Sequence, residues 1–363
     1  MGRVIPLASP DLSGNEQSYI ADAIRSGWVS KGEYVKRFER DFGALFGMRA
    51  ASCSSGTAAL HLSLLAADVR GRDVLVPDLT FAATANAVIH AGGRPVLCDV
   101  GERGLLGASE IIRRLTPDTK AILPVHLYGL LCDMDAIMEI ARHKSLTVIE
   151  DAAETCHPYR IQGDYACFSF YGNKAITTGE GGAVLRRSEV DLDRVRLLRD
   201  HGVVRPYHHT AAGLNYRLTN LQAALGCAQL ERYAEFGRKR LSVWRRYKAS
   251  LPGWGDWLWV CPRVDIEGME TRPIFDPLHM QDPYRQPGEF PMSERLWREN
   301  MLIPMGPHLS DNDVETIIAR YLEGLHRVRP PTAGGLSGPA PFDRDPLLET
   351  RLDLAAHPRT TPP

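Results

Sequence analysis

Short apolar runs alternate with segments of helical periodicity across the first half of the chain, and this alternation constrains the fold most. The apolar runs lie at 73–77, 95–100, 121–126 and 146–151, and the helical segments at 81–91, 109–115 and 134–143. Such an order is typical of an α/β protein with a mostly parallel central sheet and helices on both faces. Ligands of such sheets bind beyond the carboxyl ends of the strands. Asp78, His126 and Asp151 stand at such ends and are candidate functional residues.

Further helices are predicted outside this region. Residues 11–27 have amphipathic spacing, with Asp11 or Ser13 as the capping residue. One apolar stripe of a second helix is formed by Val35, Phe38, Phe42 and Phe46. The pattern also predicts a strand at 271–275 and helices at 220–249, 290–300 and 311–325.

The length of 363 residues is enough for one large and one small domain. We predict a large domain over 1–240 and a small, shortened C-terminal α+β domain over 241–327. Residues 328–363 are rich in Pro, Gly and Thr without periodicity, so we predict a disordered tail there.

Charge and cysteine content exclude several classes of function. The 43 basic and 44 acidic residues give a net charge of −1 without a block of like charge, so we expect no nucleic-acid or membrane partner. The seven cysteines form no CxxC pair, which favours a cytoplasmic protein without a structural metal.

The spacing of His201, His208 and His209 matches no usual ligand set, so we interpret them as part of a solvated loop. The N-terminus lacks the apolar run of a signal peptide, and no segment reaches the ~20 apolar residues of a membrane span.

One lysine stands between a short aromatic strand, 168–170, and a glycine-rich turn that ends at Gly182. Most lysines are solvated surface groups, and Lys174 could be one of these. A lysine held between an apolar strand and such a turn can instead lose its proton and attack an aldehyde. The obvious biological aldehyde is pyridoxal phosphate.

Two residues could serve the ring of this cofactor. Asp151 ends an apolar strand, and an ionised carboxylate there would keep the pyridine nitrogen protonated. Phe81 follows another strand end and could stack on the ring. Asp151 as a helix cap and Phe81 as a core residue are the structural alternatives.

A small-residue turn that opens a helix could hold the phosphate. Gly56 and Thr57 could present backbone N–H groups at the helix N-terminus, and Ser169 could add a hydroxyl. An ordinary cap made by Ser55 or Thr57 is the alternative. Each of these alternatives could explain its own residue. Together they explain poorly why a lysine, an acid, an aromatic ring and a phosphate cradle occur in this order in one chain.

These motifs resemble those of the DegT/DnrJ-type sugar-nucleotide aminotransferases, which are fold-type I pyridoxal phosphate enzymes. The resemblance covers about residues 5–325, and the matching segments follow the family's order: 26–30, 55–60, 80–87, 124–129, 150–154, 168–182, 214–224 and 271–279. The segment 172–182 is most similar to the branch of 4-aminotransferases that includes the GDP-perosamine synthases.

The resemblance implies roles for the matching residues. Lys174 would hold the cofactor covalently and later move a proton, and Asp151 would pair with the pyridinium. Glu154 would lie beside the cofactor's 3′-oxygen, where many relatives have Gln. Asn215 would reach the phosphate of the neighbouring subunit, so a homodimer would share its active sites. The phosphate would be held by Gly56, Thr57 and Ser169, and the substrate side would be lined by Trp28, His126, Glu180, Arg217 and His279.

The implied activity is amino transfer from glutamate to a nucleotide-linked keto sugar, with a 4-keto-6-deoxyhexose expected. The family's dehydratases have histidine in place of the lysine, so Lys174 argues against that reaction. A non-catalytic cofactor-binding regulator or an inactive partner subunit stays open as an alternative. The reason is that two segments are shorter than in the family, one at 155–167 and one at 252–270, where most of a strand and helix is missing. The chain has no G-x-G-x-x-G or Walker motif for nucleotide binding.

Overall fold

The computed structural model describes residues 4–328. The predicted tail therefore lies outside the described residues, apart from its first residue. The helices are α1 (Glu16–Arg25), α2 (Glu33–Phe46), α3 (Gly56–Ala66), α4 (Ala83–His90), α5 (Ala108–Arg114), α6 (Met134–Lys144), α7 (Glu189–Arg199), α8 (Asn220–Glu231), α9 (Tyr233–Ser250), α10 (Pro291–Glu299) and α11 (Asp311–Val328). The strands are β1 (Arg49–Cys53), β2 (Asp73–Pro77), β3 (Arg94–Cys98), β4 (Thr119–Ile122), β5 (Thr147–Asp151), β6 (Tyr165–Ser169), β7 (Gly182–Arg186), β8 (Val203–Arg205), β9 (His208–His209), β10 (Val260–Pro262), β11 (Arg272–Pro273) and β12 (Asn300–Leu302).

A seven-stranded sheet in the order β1-β7-β6-β5-β4-β2-β3 forms the centre of the protein. Neighbouring strands from β6 to β3 run parallel, while β7 is antiparallel to both β6 and β1. The prediction of a mostly parallel sheet is confirmed. Because parallel strands end at the same edge, Asp151 at the end of β5 and Ser169 at the end of β6 meet there.

The strands are apolar because helices cover both faces of the sheet. Every residue of β2 is buried, and Val74, Leu75 and Val76 are fully enclosed. Each such side chain contributes about 1.5–3 kcal/mol relative to its exposed state. This burial explains why the alternation of apolar runs could be recognised in the sequence.

The predicted aromatic stripe of α2 is confirmed, and it supports the strand that leads to Lys174. Phe38 and Phe42 are buried, and their rings pack edge-on against Phe170 with centroids 5.1 and 5.0 Å apart. Phe42 also contacts Phe168 at 5.1 Å. Edge-to-face pairs add about 0.5–1.5 kcal/mol each beyond burial. The Lys174 turn therefore begins from a rigid strand.

Two predicted helices differ from the structure in detail. The first begins only at Glu16, and neither Asp11 nor Ser13 caps it. Asp11 instead accepts from the Arg232 guanidinium at 2.8 Å. The predicted long helix from 220 is divided into α8 and α9 at this same Arg232, whose φ is −109°. Ion pairs with Asp11 and Glu235 hold Arg232 at the break.

The small C-terminal unit contains a three-stranded antiparallel sheet in the order β10-β12-β11. Its core includes Tyr247, Ile303, Ile317 and Tyr321, each fully enclosed. The structure retains a strand, β10, in the segment that sequence comparison suggested was mostly missing. Within the described residues no helix separates β10 from β11. The exact domain boundaries stay a prediction.

Among residues 4–328, none of the helices combines the length and the apolar content that a bilayer crossing requires.

Candidate active site

The turn after β6 is closed by backbone hydrogen bonds that hold Lys174. Phe170 N–H donates to the Gly181 carbonyl at 2.8 Å, and Thr178 N–H donates back to the Phe170 carbonyl at 2.9 Å. Inside this loop, Lys174 N–H donates to the Tyr171 carbonyl at 3.0 Å. The Lys174 ammonium group forms an ion pair with the Glu154 carboxylate, and both side chains are largely buried. The structure thus brings together two of the predicted site residues.

Asp151 lies at the end of β5 with only 5% of its surface exposed. Its Oδ2 accepts from the Thr84 hydroxyl at 3.0 Å, and its Oδ1 accepts from Ala153 N–H at 3.1 Å. Burial raises the pKa of the Asp151 carboxyl, while these two hydrogen bonds and the Lys174 charge act in the opposite direction. A desolvated carboxylate is stabilised by a cationic partner, so the site suits a protonated ring nitrogen. Sequence reasoning missed Thr84, which orients this carboxylate.

The start of α3 provides a narrow cradle. Ser55 caps the helix by accepting from Ala58 N–H at 3.0 Å, which confirms the capping interpretation of Ser55. A Cβ at Gly56 would lie 2.7 Å from the Ser169 Cβ, so these residues are in direct contact. Thr57 follows on the exposed side. The first N–H groups of a helix lack intrahelical partners, so the cradle can still accept a phosphate beside the cap.

We expect Gly56→Ala to weaken cofactor retention by at least about tenfold, or ~1.4 kcal/mol. The added methyl would displace Ser169 and fill the cradle, because a Cβ at that distance forces a shift. The measurement is the dissociation constant of pyridoxal phosphate by absorbance titration. Gly107→Ala is the matched control, since a Cβ at Gly107 meets nothing within 4 Å. Equal affinity in the two variants would contradict a phosphate site at Gly56.

A cavity of about 340 Å³ lies between Lys174 and the small domain. Its wall includes Glu154, Arg240 and Arg272. Tyr128 and Phe275 form an aromatic part of the cavity wall, with stacked rings 5.4 Å apart. The Phe81 ring lies 5.5 Å from the Phe275 ring. Phe81 itself is 58% exposed, which leaves its face open for a stacked ring.

Tyr128 has an unusual backbone conformation in this wall. Its φ is +52°, a region that bulky residues rarely adopt and that is often found at functional sites. Gly129 follows with φ +85°. The Tyr128 hydroxyl accepts from Phe275 N–H at 2.9 Å, and its carbonyl accepts from Leu258 N–H at 3.1 Å. Sequence reasoning missed the structural role of this residue.

Four of the expected site residues cluster away from the cavity, around the start of α8. Asn220 Nδ2 donates to the Trp28 carbonyl at 2.6 Å, and Trp28 is 68% exposed. The Glu180 carbonyl accepts from Gln222 at 2.7 Å. Within the described residues, the lining of the cavity does not include these four residues: Trp28, Glu180, Asn215 and Arg217. Arg217 instead forms an ion pair with Asp200, and Asn215 is exposed.

His126 lies in the protein core, and within residues 4–328 the lining of the cavity does not include it. It is fully buried, with Nε2 3.0 Å from Glu150 Oε2. Its Nδ1 accepts from Cys132 N–H at 3.2 Å, so the ring proton is on Nε2 and is donated to Glu150. The apolar core around β4 and β5 therefore encloses a structural His126–Glu150 pair.

His279 is held against Asp78, just beyond the end of β2. Its Nδ1 is 2.8 Å from Asp78 Oδ2, and its backbone N–H donates to Asp78 Oδ1 at 2.8 Å. Its ring stacks on Phe290 at 4.6 Å. Burial raises the pKa of the Asp78 carboxyl, although the bonds from His279 oppose the shift. This contact joins the end of β2 to the small domain.

The three histidines interpreted as a solvated loop lie on or beside a short hairpin. His208 and His209 form β9, which pairs with β8, and the Nδ1 atom of His209 lies 2.8 Å from the His201 carbonyl oxygen. In the described part of the chain, no group of three or more His, Cys, Asp or Glu side chains has the arrangement of a metal site.

The residues at the sheet edge fit pyridoxal phosphate. Lys174 supplies an amine, Asp151 a desolvated carboxylate, Gly56 and Ser169 a cradle that a methyl group would fill, and Phe81 an open ring. When bound, the cofactor supplies an electron sink for chemistry at a carbon–nitrogen bond. In this fit, Asp151, the Gly56–Ser169 cradle and Lys174 would hold the ring nitrogen, the phosphate and the amine in one orientation.

The fold and this site define a fold-type I pyridoxal phosphate-dependent enzyme. The chain belongs to the DegT/DnrJ/EryC1/StrS aminotransferase family, whose model matches residues 10–258 and 260–321. It is similar to the GDP-perosamine synthase of Caulobacter vibrioides, with 38% identity over an alignment of 360 positions that covers 87% of this chain and 96% of that protein. The enzyme from Escherichia coli O157:H7 with the same name is 35% identical over an alignment of 349 positions, which covers 86% of this chain and 96% of that protein.

Solved structures agree with this assignment. The aminotransferase TlmJ from Streptoalloteichus hindustanus has a TM-score of 0.84 and 28% identity, covering 90% of this chain and 100% of that one. DesV from S. venezuelae has a TM-score of 0.82 and 30% identity, covering 87% of this chain and 95% of that one. The protein is therefore a pyridoxal phosphate-dependent aminotransferase.

Proposed function

We propose that this enzyme moves an amino group from glutamate to a nucleotide-linked keto sugar, a 4-keto-6-deoxyhexose, in amino-sugar biosynthesis. The observation that carries the proposal is the placement of the Lys174 amine beside Glu154 and Asp151 at a sheet edge that opens into a cavity. Similarity to GDP-perosamine synthases over most of both chains supports the sugar class.

We infer that Lys174 and Asp151 are the catalytic residues. The cofactor would be held by Gly56, Thr57, Phe81, Glu154 and Ser169, with Asn215 contributed from a neighbouring subunit. Lys174 would carry the proton at the reacting carbon, because it is the basic group that the turn places in the cavity. Glu154 would hold the free Lys174 amine in place through their ion pair.

A homodimer with shared sites accounts for the expected residues that lie outside the cavity. Trp28, Glu180 and Arg217 are grouped at the start of α8, exposed or partly exposed. In a two-fold symmetric dimer the same surface meets itself, so this group can complete the partner's site. A cytoplasmic location is proposed because the seven cysteines are buried free thiols, as expected in a reducing compartment.

The test is a two-step transfer assay on the purified, cofactor-loaded protein. Glutamate alone should bleach the visible absorbance of the bound cofactor, and a subsequent keto sugar nucleotide should restore it. A panel of 4-keto-6-deoxyhexoses linked to GDP, dTDP or UDP identifies the acceptor, with the amino sugar product detected by mass spectrometry. Gel filtration with light scattering gives the subunit number in the same preparation.

The outcomes separate the alternatives. Bleaching by glutamate and recovery with a keto sugar nucleotide establish the proposed transfer. Binding of the cofactor without any response to glutamate or other amino donors would indicate a non-catalytic regulator or an inactive partner subunit instead. Recovery with a keto acid but with none of the sugars would contradict the sugar assignment.

A further inference from the structure

Arg240 is a buried cation beside the site and plays no part in the functions argued so far. It lies in α9, with 7% of its surface exposed. Its Nη2 donates to the Lys174 carbonyl at 3.2 Å, and its Nη1 donates to the Ala175 carbonyl at 3.1 Å. The guanidinium therefore lies directly under the backbone of the Lys174 turn, and Arg240 also lines the cavity.

Arg240 differs from the other cations of the cavity, Lys174 and Arg272, each of which forms an ion pair with a carboxylate in the described part of the chain. In the described part of the chain, Lys174 is paired with Glu154 and Arg272 with Glu270, and neither of these ion pairs includes Arg240. A buried charge is costly unless it is paired. Two neutral carbonyls satisfy only part of a group that has five N–H donors. The arrangement fits an anion that enters with a ligand.

Geometry and chemistry select a carboxylate as that anion. The planar guanidinium matches a carboxylate in two parallel hydrogen bonds. The phosphate cradle at Gly56 is not part of the cavity wall within residues 4–328, so Arg240 serves a different group. An amino donor must bring its nitrogen to Lys174, and a carboxylate of that donor then lies within the same cavity.

We propose that Arg240 binds a carboxylate of the amino donor, a dicarboxylic amino acid, and so determines donor specificity. The inference rests on the proposed aminotransferase function but does not depend on which sugar accepts the amine. Because the guanidinium also holds two carbonyls of the turn, its occupation by a donor is coupled directly to the position of Lys174.

The test uses Arg240→Gln and Arg240→Lys in the cofactor-loaded enzyme, with Arg238→Gln on the exposed face of α9 as control. For Arg240→Gln, the glutamate concentration that gives half-maximal bleaching should rise at least about tenfold. The KM for the sugar acceptor should stay within about twofold. Arg240→Lys should recover part of the donor binding, because it restores the charge without the fork.

A binding measurement removes the dependence on turnover. Glutarate, a dicarboxylate without an amine, should bind the cofactor-loaded wild-type and Arg238→Gln proteins in calorimetry, and binding should be at least about tenfold weaker in Arg240→Gln. The proposal would be overturned if Arg240→Gln changed the half-maximal glutamate concentration and the KM of the sugar acceptor equally and left the glutarate affinity unchanged. That result would show that Arg240 only supports the turn. Loss of acceptor activity in the wild type, with glutarate binding intact, would refute the sugar assignment and leave this inference standing.

Discussion

Lys174→Ala is expected to reduce amino transfer by about 10⁴-fold or more, since it removes both the covalent attachment point and the proton carrier. Borohydride reduction followed by peptide mass spectrometry should place the cofactor on Lys174 in the wild type and find no label in the variant. The fold should persist because the turn is held by backbone hydrogen bonds and by the packing of Phe38 and Phe42.

Lys174→Arg separates the chemistry of the amine from its charge. Arginine keeps a positive group for Glu154 but stays protonated at all working pH values, so this variant should be as inactive as Lys174→Ala. Lys144→Ala, at the exposed end of α6, is the control for the loss of a lysine and should keep full activity. Labelling of another lysine together with retained activity would be incompatible with the assignment.

Asp151→Asn is expected to reduce the rate by about 10²–10³-fold, the usual cost of removing one preorganised electrostatic partner. The amide keeps the acceptor oxygen for Thr84 or Ala153 but cannot hold the ring nitrogen in its protonated form. Thr84→Val removes only one hydrogen bond to the carboxylate and should cost about tenfold or less. Single-turnover kinetics with glutamate measure both effects.

Although Asp151→Asn should slow the reaction, we expect it to stabilise the cofactor-free protein. The pKa of Asp151 is raised in the folded state by burial, so the native protein binds more protons than the unfolded chain just above pH 3.8. Stability then falls as the pH rises through the folded-state pKa. Cofactor-free Asp151→Asn should melt at a higher temperature than the wild type at pH 7 to 8, and the difference should vanish near pH 3.5. A lower melting temperature at pH 7 would indicate that Asp151 is already compensated.

The fold was predictable because its signals are local. The apolar runs of β2 to β5 and the aromatic stripe of α2 are consequences of burial that leave a periodic pattern in the chain. Strands β10 and β12 were missed because three residues of mixed character carry no period. The break at Arg232 was missed because it depends on an ion pair with Asp11, more than 200 positions away.

The site was predictable where strand ends meet and not where side chains converge from distant segments. Asp151, Ser169 and Lys174 lie at or just beyond strand ends, and the sheet brings them together. The surroundings of His126 and His279 could not be predicted, because their partners, Glu150 and Asp78, determine which way the rings point. Their roles on the substrate side stay a prediction. Arg240 carried no signal at all, since it is one of several basic residues in α9.

The backbone of Tyr128 has a practical consequence for protein engineering. One residue receives hydrogen bonds from both Leu258 and Phe275, so it ties the entrance of the small domain to the segment after β11. Libraries that aim to change which acceptors the enzyme takes should leave Tyr128 and Gly129 untouched. Diversity belongs instead at other residues that line the cavity.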